Sequence, residues 1–111
     1  MSKTLATAMC TYTIKPGKEA DFEKILAKHW PTLHKAGLST NDRPIMYKGT
    51  HDRHSASHAG RTFYVEIFSW KDAKAPDTAH QMPEVMAVWE PMGALCEHMQ
   101  FPHVERIELQ A

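Results

Sequence analysis

The run Arg61–Trp70 (Arg-Thr-Phe-Tyr-Val-Glu-Ile-Phe-Ser-Trp) narrows the possible folds more than any other part of the chain. Phe63, Val65 and Ile67 alternate with Tyr64, Glu66, Phe68 and Trp70. A strand with one wet face alternates apolar with polar residues. Here both sets are bulky and mostly apolar, so the run predicts a central strand covered on two sides. The chain has 111 residues, enough for one domain, 1–111, and no second. Whatever covers both faces must come from a handful of elements, or from another molecule.

The rest of the chain supplies those elements. Thr4 to Ile14 is rich in Thr, Tyr and Ile and reads as a strand, with Ala6, Ala8, Cys10, Tyr12 and Ile14 on one face and Leu5 and Met9 on the other, among Thr7, Thr11 and Thr13. Pro16-Gly17 ends it in a turn. Lys18 to Ala36 predicts a helix whose buried face holds Phe22, Ile25, Leu26, His29, Trp30 and Leu33. Gly37-Leu38 closes it as a glycine cap, and Pro31 should kink it or split it after Trp30. Pro44 to Thr50 is a short strand, and the His-, Ser-, Ala- and Gly-rich stretch His51 to Gly60 reads as a mobile connection. After Trp70 come a loop, a short helical turn, and a helix from Pro83 to Glu97 with a buried stripe of Val85, Met86, Trp89, Met92 and Cys96. His103 to Leu109 reads as a last, edge strand.

This order, β-α-β-β-α-β, predicts an α+β, ferredoxin-like domain: a four-stranded antiparallel sheet with two helices on one face. The other sheet face stays apolar and uncovered, and packing against an identical copy in a homodimer would hide it.

Composition removes several function classes. Thirteen basic residues balance thirteen acidic ones, with no Lys/Arg run, so neither nucleic acid nor an anionic membrane surface is an expected partner. No apolar run reaches membrane-span length and no signal peptide is evident, which makes cytoplasmic the default location. Cys10 and Cys96 stand apart in apolar contexts and read as buried thiols of a reducing compartment, although a disulfide between them stays open. There is no glycine-rich phosphate loop, no G-x-S-x-G and no H-E-x-x-H.

Two stretches carry a resemblance. Thr11-Tyr12-Thr13-Ile14-Lys15-Pro16-Gly17-Lys18-Glu19, leading to Phe22, resembles the start of the dimeric α+β barrel superfamily, and within it the antibiotic biosynthesis monooxygenase-like proteins. Ser69-Trp70-Lys71-Asp72, followed by Ala79-His80, Pro83, Val85 and Trp89, is similar to the group's strand, loop and helix start. The likeness spans nearly all of the chain except His51 to Gly60. It implies a dimeric α+β barrel with a ligand cleft between helices and sheet, and activities that range from cofactor-free oxygenation to none. The haem-degrading site does not carry over, because the first strand has no asparagine and Trp89 stands about where the axial histidine would. His80 matches the histidine that often opens the second helix of oxygenase-like members.

The candidate catalytic groups are therefore His80 and His29. His29 lies on the apolar face of the first helix, where an imidazole can act as acid, base or hydrogen-bond donor, or simply as a satisfied core residue. His80, placed at a helix start, would meet the positive end of the helix dipole, which favours a neutral imidazole able to accept a phenolic proton. Trp30, Trp70, Trp89, Tyr12, Tyr64 and Met86 are candidate substrate-binding walls for a flat ligand, with core packing as the plainer role. His51, His54 and His58, with Asp52, have the residue types of a metal site, but in a segment that reads as a solvated loop, so no metal is assigned. Glu66 would need a cationic partner such as Arg61 or Arg106 and reads as half of an inter-subunit ion pair. His98 and His103 read as surface residues. The leading expectation is a small-molecule-binding protein of the cofactor-free monooxygenase type, acting on an aromatic or quinol-like substrate. The alternative is a non-catalytic dimeric ligand-binding or stress-related module.

Overall fold

The computed structural model describes residues 6–110. Thr4 and Leu5, expected in the first strand, lie outside the described residues. The elements are β1 (Thr7–Ile14), α1 (Glu19–Lys35), β2 (Ile45–Thr50), β3 (Thr62–Ser69), α2 (Ala75–Ala79), α3 (Pro83–Ala94), β4 (Cys96–Gln100) and β5 (His103–Val104). The sheet runs β2-β3-β1-β4 and all its pairings are antiparallel. This is the expected α+β, ferredoxin-like arrangement, with β3 and β1 at its centre.

Both central strands bury one face under the helices. In β1 these residues are Ala8, Cys10, Tyr12 and Ile14; in β3 and just beyond it they are Tyr64, Glu66, Phe68 and Trp70. Register explains the match, since Cys10 pairs with Glu66, Ala8 with Phe68 and Tyr12 with Tyr64. The opposite face carries Met9, Val65 and Ile67, half-buried, and Ile45 and Tyr47 of β2, which are 55% and 61% exposed. Tyr64, Phe68 and Trp70 thus lie beneath the helices, and their alternates form the uncovered side.

Helix α1 runs unbroken through Pro31, contrary to the expected kink or split. Pro31 is exposed, while Phe22, Leu26, His29, Trp30 and Leu33 are buried on both sides of it. That packing outweighs the cost of one interrupted backbone bond, about 3 kcal/mol. Gly37, at φ 77, ends the helix. The Leu38 N–H donates to the Leu33 carbonyl and the Gly37 N–H to that of His34, the paired bonds of a glycine-terminated cap.

The C-terminal third departs most from expectation. The second long helix stops at Ala94 rather than Glu97, and Cys96 and Glu97 belong to β4. The last strand is not His103 to Leu109. It begins at Cys96, breaks at Phe101-Pro102 and resumes only for His103–Val104 along the same edge of β1. The Pro102 carbonyl bridges the break by accepting from the Met9 N–H at 2.9 Å. Cys-Glu-His-Met-Gln carries no apolar alternation, whereas Trp89, Met92 and Cys96 fit a helical stripe, so periodicity favoured the wrong element. No helix among the described residues is long and apolar enough to cross a membrane.

Candidate functional site

A cavity of about 480 Å³ lies between the sheet and α3, within the usual range of small-molecule sites. Ala8, Cys10 and Tyr12 of β1 and Phe68 of β3 form its floor, with Trp70 beside them. Met86, Trp89 and Met92 of α3 form one wall, and Met99 and Phe101, after the helix, form another. His80, Glu90 and His103 are exposed around its rim. The lining is mostly apolar, and His29 of α1 reaches it from a buried position, as does Tyr12 of β1.

His29 belongs to a chain of hydrogen bonds. The Trp89 indole Nε1–H donates to His29 Nε2 at 2.8 Å. Nε2 is therefore the unprotonated nitrogen, and Nδ1–H donates to Glu66 Oε1 at 2.7 Å. The same oxygen accepts the Tyr12 hydroxyl at 2.9 Å. Glu66 is wholly buried, and among the described residues its Oε2 has no hydrogen-bond partner. A carboxylate fixing the tautomer of a histidine is the arrangement by which proteins make imidazole a directed base, and here the far nitrogen, at the cavity wall, is held by the Trp89 indole. Glu66 also marks its surroundings. Burial first, then its negative charge, pushes the Cys10 thiol up to about 12 and drives the Tyr12 phenol upward as well. Both stay protonated at neutral pH, so Tyr12 serves as a donor.

The expected site residues separate into two groups. His29, His80, Trp70, Trp89, Tyr12 and Met86 surround the one cavity. The Trp89 ring stands between the two histidines, 6.3 Å from that of His29 and 4.8 Å from that of His80. Trp30 and Tyr64 are elsewhere. Trp30 stacks on His34 at 4.6 Å, outside the cavity. Tyr64 donates its hydroxyl to Glu23, beside Lys48, in a shallow groove between α1 and β2. The Tyr64 ring packs against Phe22 of α1, with ring centroids 5.1 Å apart. His80 caps the C-terminal end of the short α2, not a helix start, so the dipole argument does not apply to it.

Glu66 is the main correction. It is no inter-subunit partner of Arg61 or Arg106; its partners are His29 and Tyr12, inside the protomer. Arg61 pairs instead with Glu97, and Arg106 with Glu108. The signal was present in the sequence, since Glu66 is in phase with Phe68 and Trp70 as His29 is with Leu26 and Leu33. His103 proves to be a rim residue rather than an isolated surface one.

Three other histidines, His51, His58 and His98, gather at the far end of the uncovered sheet face. His51 bonds Thr13 Oγ1 at 3.0 Å and packs on Phe63, and His58 lies between His51 and His98, at 5.6 and 5.4 Å. His54 stands apart, next to Arg53. Among the described residues no group of three His, Cys, Asp or Glu is disposed to hold a metal ion. Cys10 and Cys96 are both free and buried.

No known family profile matches the chain, and no curated protein matches it. Solved structures do. A Bordetella bronchiseptica protein, named only provisionally as an antibiotic biosynthesis monooxygenase, superposes with a TM-score of 0.66 at 17% identity, over 96% of this chain and 100% of its own. SnoaB, a cofactor-independent oxygenase from Streptomyces nogalater, gives 0.62 at 19% identity, over 92% and 94%. PA3566 of Pseudomonas aeruginosa gives 0.63 at 20%, over 97% and 99%. Along almost its whole length the chain shares its fold with these proteins.

Proposed function

We propose that this chain, built on the fold it shares with a cofactor-independent oxygenase, is itself a cofactor-free monooxygenase acting on a flat hydroxyarene or quinol-like substrate, as a homodimer in the cytoplasm. The observation that carries the reading is the Glu66–His29 pair delivering one basic nitrogen to the wall of an apolar cavity. The aromatic floor and the α3 wall hold the ring system, and the low polarity keeps water from the reacting anion. His29 Nε2 takes the substrate's acidic proton, and Glu66 stabilises the imidazolium that forms. The electron-rich anion then gives one electron to dioxygen, and the two radicals combine to a carbon–oxygen bond. Protonation by His29 gives the hydroperoxide, and loss of the remaining C–H proton from the same carbon with cleavage of the O–O bond forms the carbonyl and releases hydroxide, which that proton converts to water. For a ring methylene next to the phenol the balance is CH₂ plus O₂ to C=O plus H₂O. His80, at the mouth, serves as a polar contact for the entering ligand.

Homodimerisation rests on the second sheet face. Ile45, Tyr47, Val65, Ile67 and Met9 make an apolar surface whose cover by a second copy removes it from water.

Oxygen uptake measured with a panel of hydroxyanthrones and naphthohydroquinones tests the reading. Uptake that stops in His29→Ala supports it; uptake by no substrate, or uptake indifferent to His29, overturns it. The second reading, a binding module, draws on the Trp89 bond that already occupies His29 Nε2. Saturable binding without oxygen uptake would favour it.

A further inference from the structure

The nitrogen assigned above as the base is not open to the cavity. Trp89 Nε1–H holds it at 2.8 Å, and an indole N–H can only donate. A ligand hydroxyl approaching His29 must either evict the indole or enter the bond. Entry satisfies every group: the hydroxyl donates to Nε2 while its oxygen accepts from the indole N–H. Two bonds of about 2.8 Å meeting at a near-tetrahedral oxygen require the two nitrogens to part to roughly 4.5 Å. The Trp89 ring has only edge or tilted contacts with its aromatic neighbours: Trp70 at 6.4 Å, His80 at 4.8 Å and His29 at 6.3 Å. It is half-buried, at the border of the cavity, so the space for that displacement is on its open side.

Resting on the assignment of His29 as base, we propose that Trp89 is a second catalytic residue: its indole N–H caps His29 in the empty site and, once a substrate hydroxyl has inserted, donates to the oxygen that becomes anionic. The proton moves from that oxygen to Nε2, and the negative charge it leaves is met by a donor already in place. The bond to the indole therefore strengthens as the anion forms, which is the condition for a rate effect rather than tighter binding alone. The class of ligand follows. It must bring an ionisable O–H on a flat apolar body; an arene without a hydroxyl leaves the cap closed.

The test uses the full chain and 2-hydroxyanthraquinone, which is already oxidised and whose absorbance moves to longer wavelength when its hydroxyl ionises. Bound to the unaltered protein, the dye should ionise at lower pH than in buffer. Trp89→Phe keeps the ring and removes the donor; it should bind the dye but raise the pH of its ionisation by about one unit, a 10-fold loss of anion preference. The Trp89 indole N–H resonance should shift when dye binds and should shift in the ligand-free His29→Leu variant. If the dye's ionisation depends on His29 but is the same in Trp89→Phe, the role of Trp89 falls and the base assignment stands. If the dye ionises independently of His29, or does not bind, the base assignment falls and the insertion falls with it. An indole resonance indifferent to His29→Leu overturns the cap.

Discussion

The two faces of the sheet solve opposite problems with the same strands. Beneath the helices, β1 and β3 bury Ala8, Cys10, Tyr12, Phe68 and Trp70 and admit one carboxylate, Glu66, matched by His29 and Tyr12. On the other side the strands present Met9, Val65 and Ile67 among Thr7, Thr11 and Ser69, with the His51, His58 and His98 cluster at one end. A charge excluded from water needs partners built into the protomer. An apolar surface needs only cover, and a second copy can supply it. The first face is therefore specified residue by residue, while the second is specified by area and shape.

Substitutions can sharpen that contrast. The largest effect is expected at the buried face: His29→Ala should lower the proposed oxygenation by roughly 1000-fold, read as initial oxygen uptake, while leaving the proposed dimer intact. Next, Glu66→Ala should destabilise the fold by about 3 kcal/mol in urea unfolding, because the Tyr12 hydroxyl and His29 Nδ1–H lose their shared acceptor in a dry site. Glu97→Ala, which removes the half-exposed pair with Arg61, should cost under about 1 kcal/mol. If the two cost the same, the distinction between a specified and an unspecified polar contact fails. On the open face, Val65→Asp should raise the dissociation constant of the proposed dimer by about 100-fold, seen as a 12.6 kDa species in sedimentation, with the cavity unchanged.

Alkaline pH probes the buried face more gently. Cys10 is raised from an ordinary 9.0 to about 12 by burial, then by the charge of Glu66. Its folded value lies above its unfolded one, so its contribution to stability is complete below pH 9 and is lost as pH rises toward 12. Thiol labelling of the folded protein at pH 8 should be slow at Cys10 and accelerate on unfolding; rapid labelling would show that the floor of the cavity is wet. A further small effect is expected where β2 meets Phe63. A Cβ at Gly49 would come within 2.9 Å of that ring, so Gly49→Ala should cost about 1 kcal/mol as the side chain shifts.

Local patterns were enough to read most of the architecture. The double-sided run at Phe63 to Trp70 and the stripe from Phe22 to Leu33 both express strong periodicities, which is why β3 and α1 were placed within a residue or two. The boundary between α3 and β4 was not readable, because Cys96 satisfies a helical stripe and a strand position equally. Half of the site was legible in the same way. His29 and Glu66 each stand out as a polar residue in an apolar phase, but nothing local says that the two phases meet. Trp30 and Tyr64 look like cavity walls as convincingly as Trp70 and Trp89 do, since an aromatic residue on a buried face has no mark that distinguishes core from cavity.

Order of elements, the in-phase burial of β1 and β3, and the need for a cover over the second face follow from periodicity and size, which are properties of neighbouring residues along the chain. The Tyr12–Glu66–His29–Trp89 chain of bonds required folding to appear, because its members come from β1, β3, α1 and α3 and are 37 to 60 residues apart in its key contacts. Hydrogen bonds act over about 3 Å, and only the antiparallel register of Cys10 with Glu66 and the crossing of α1 over that pair bring such distant groups within reach.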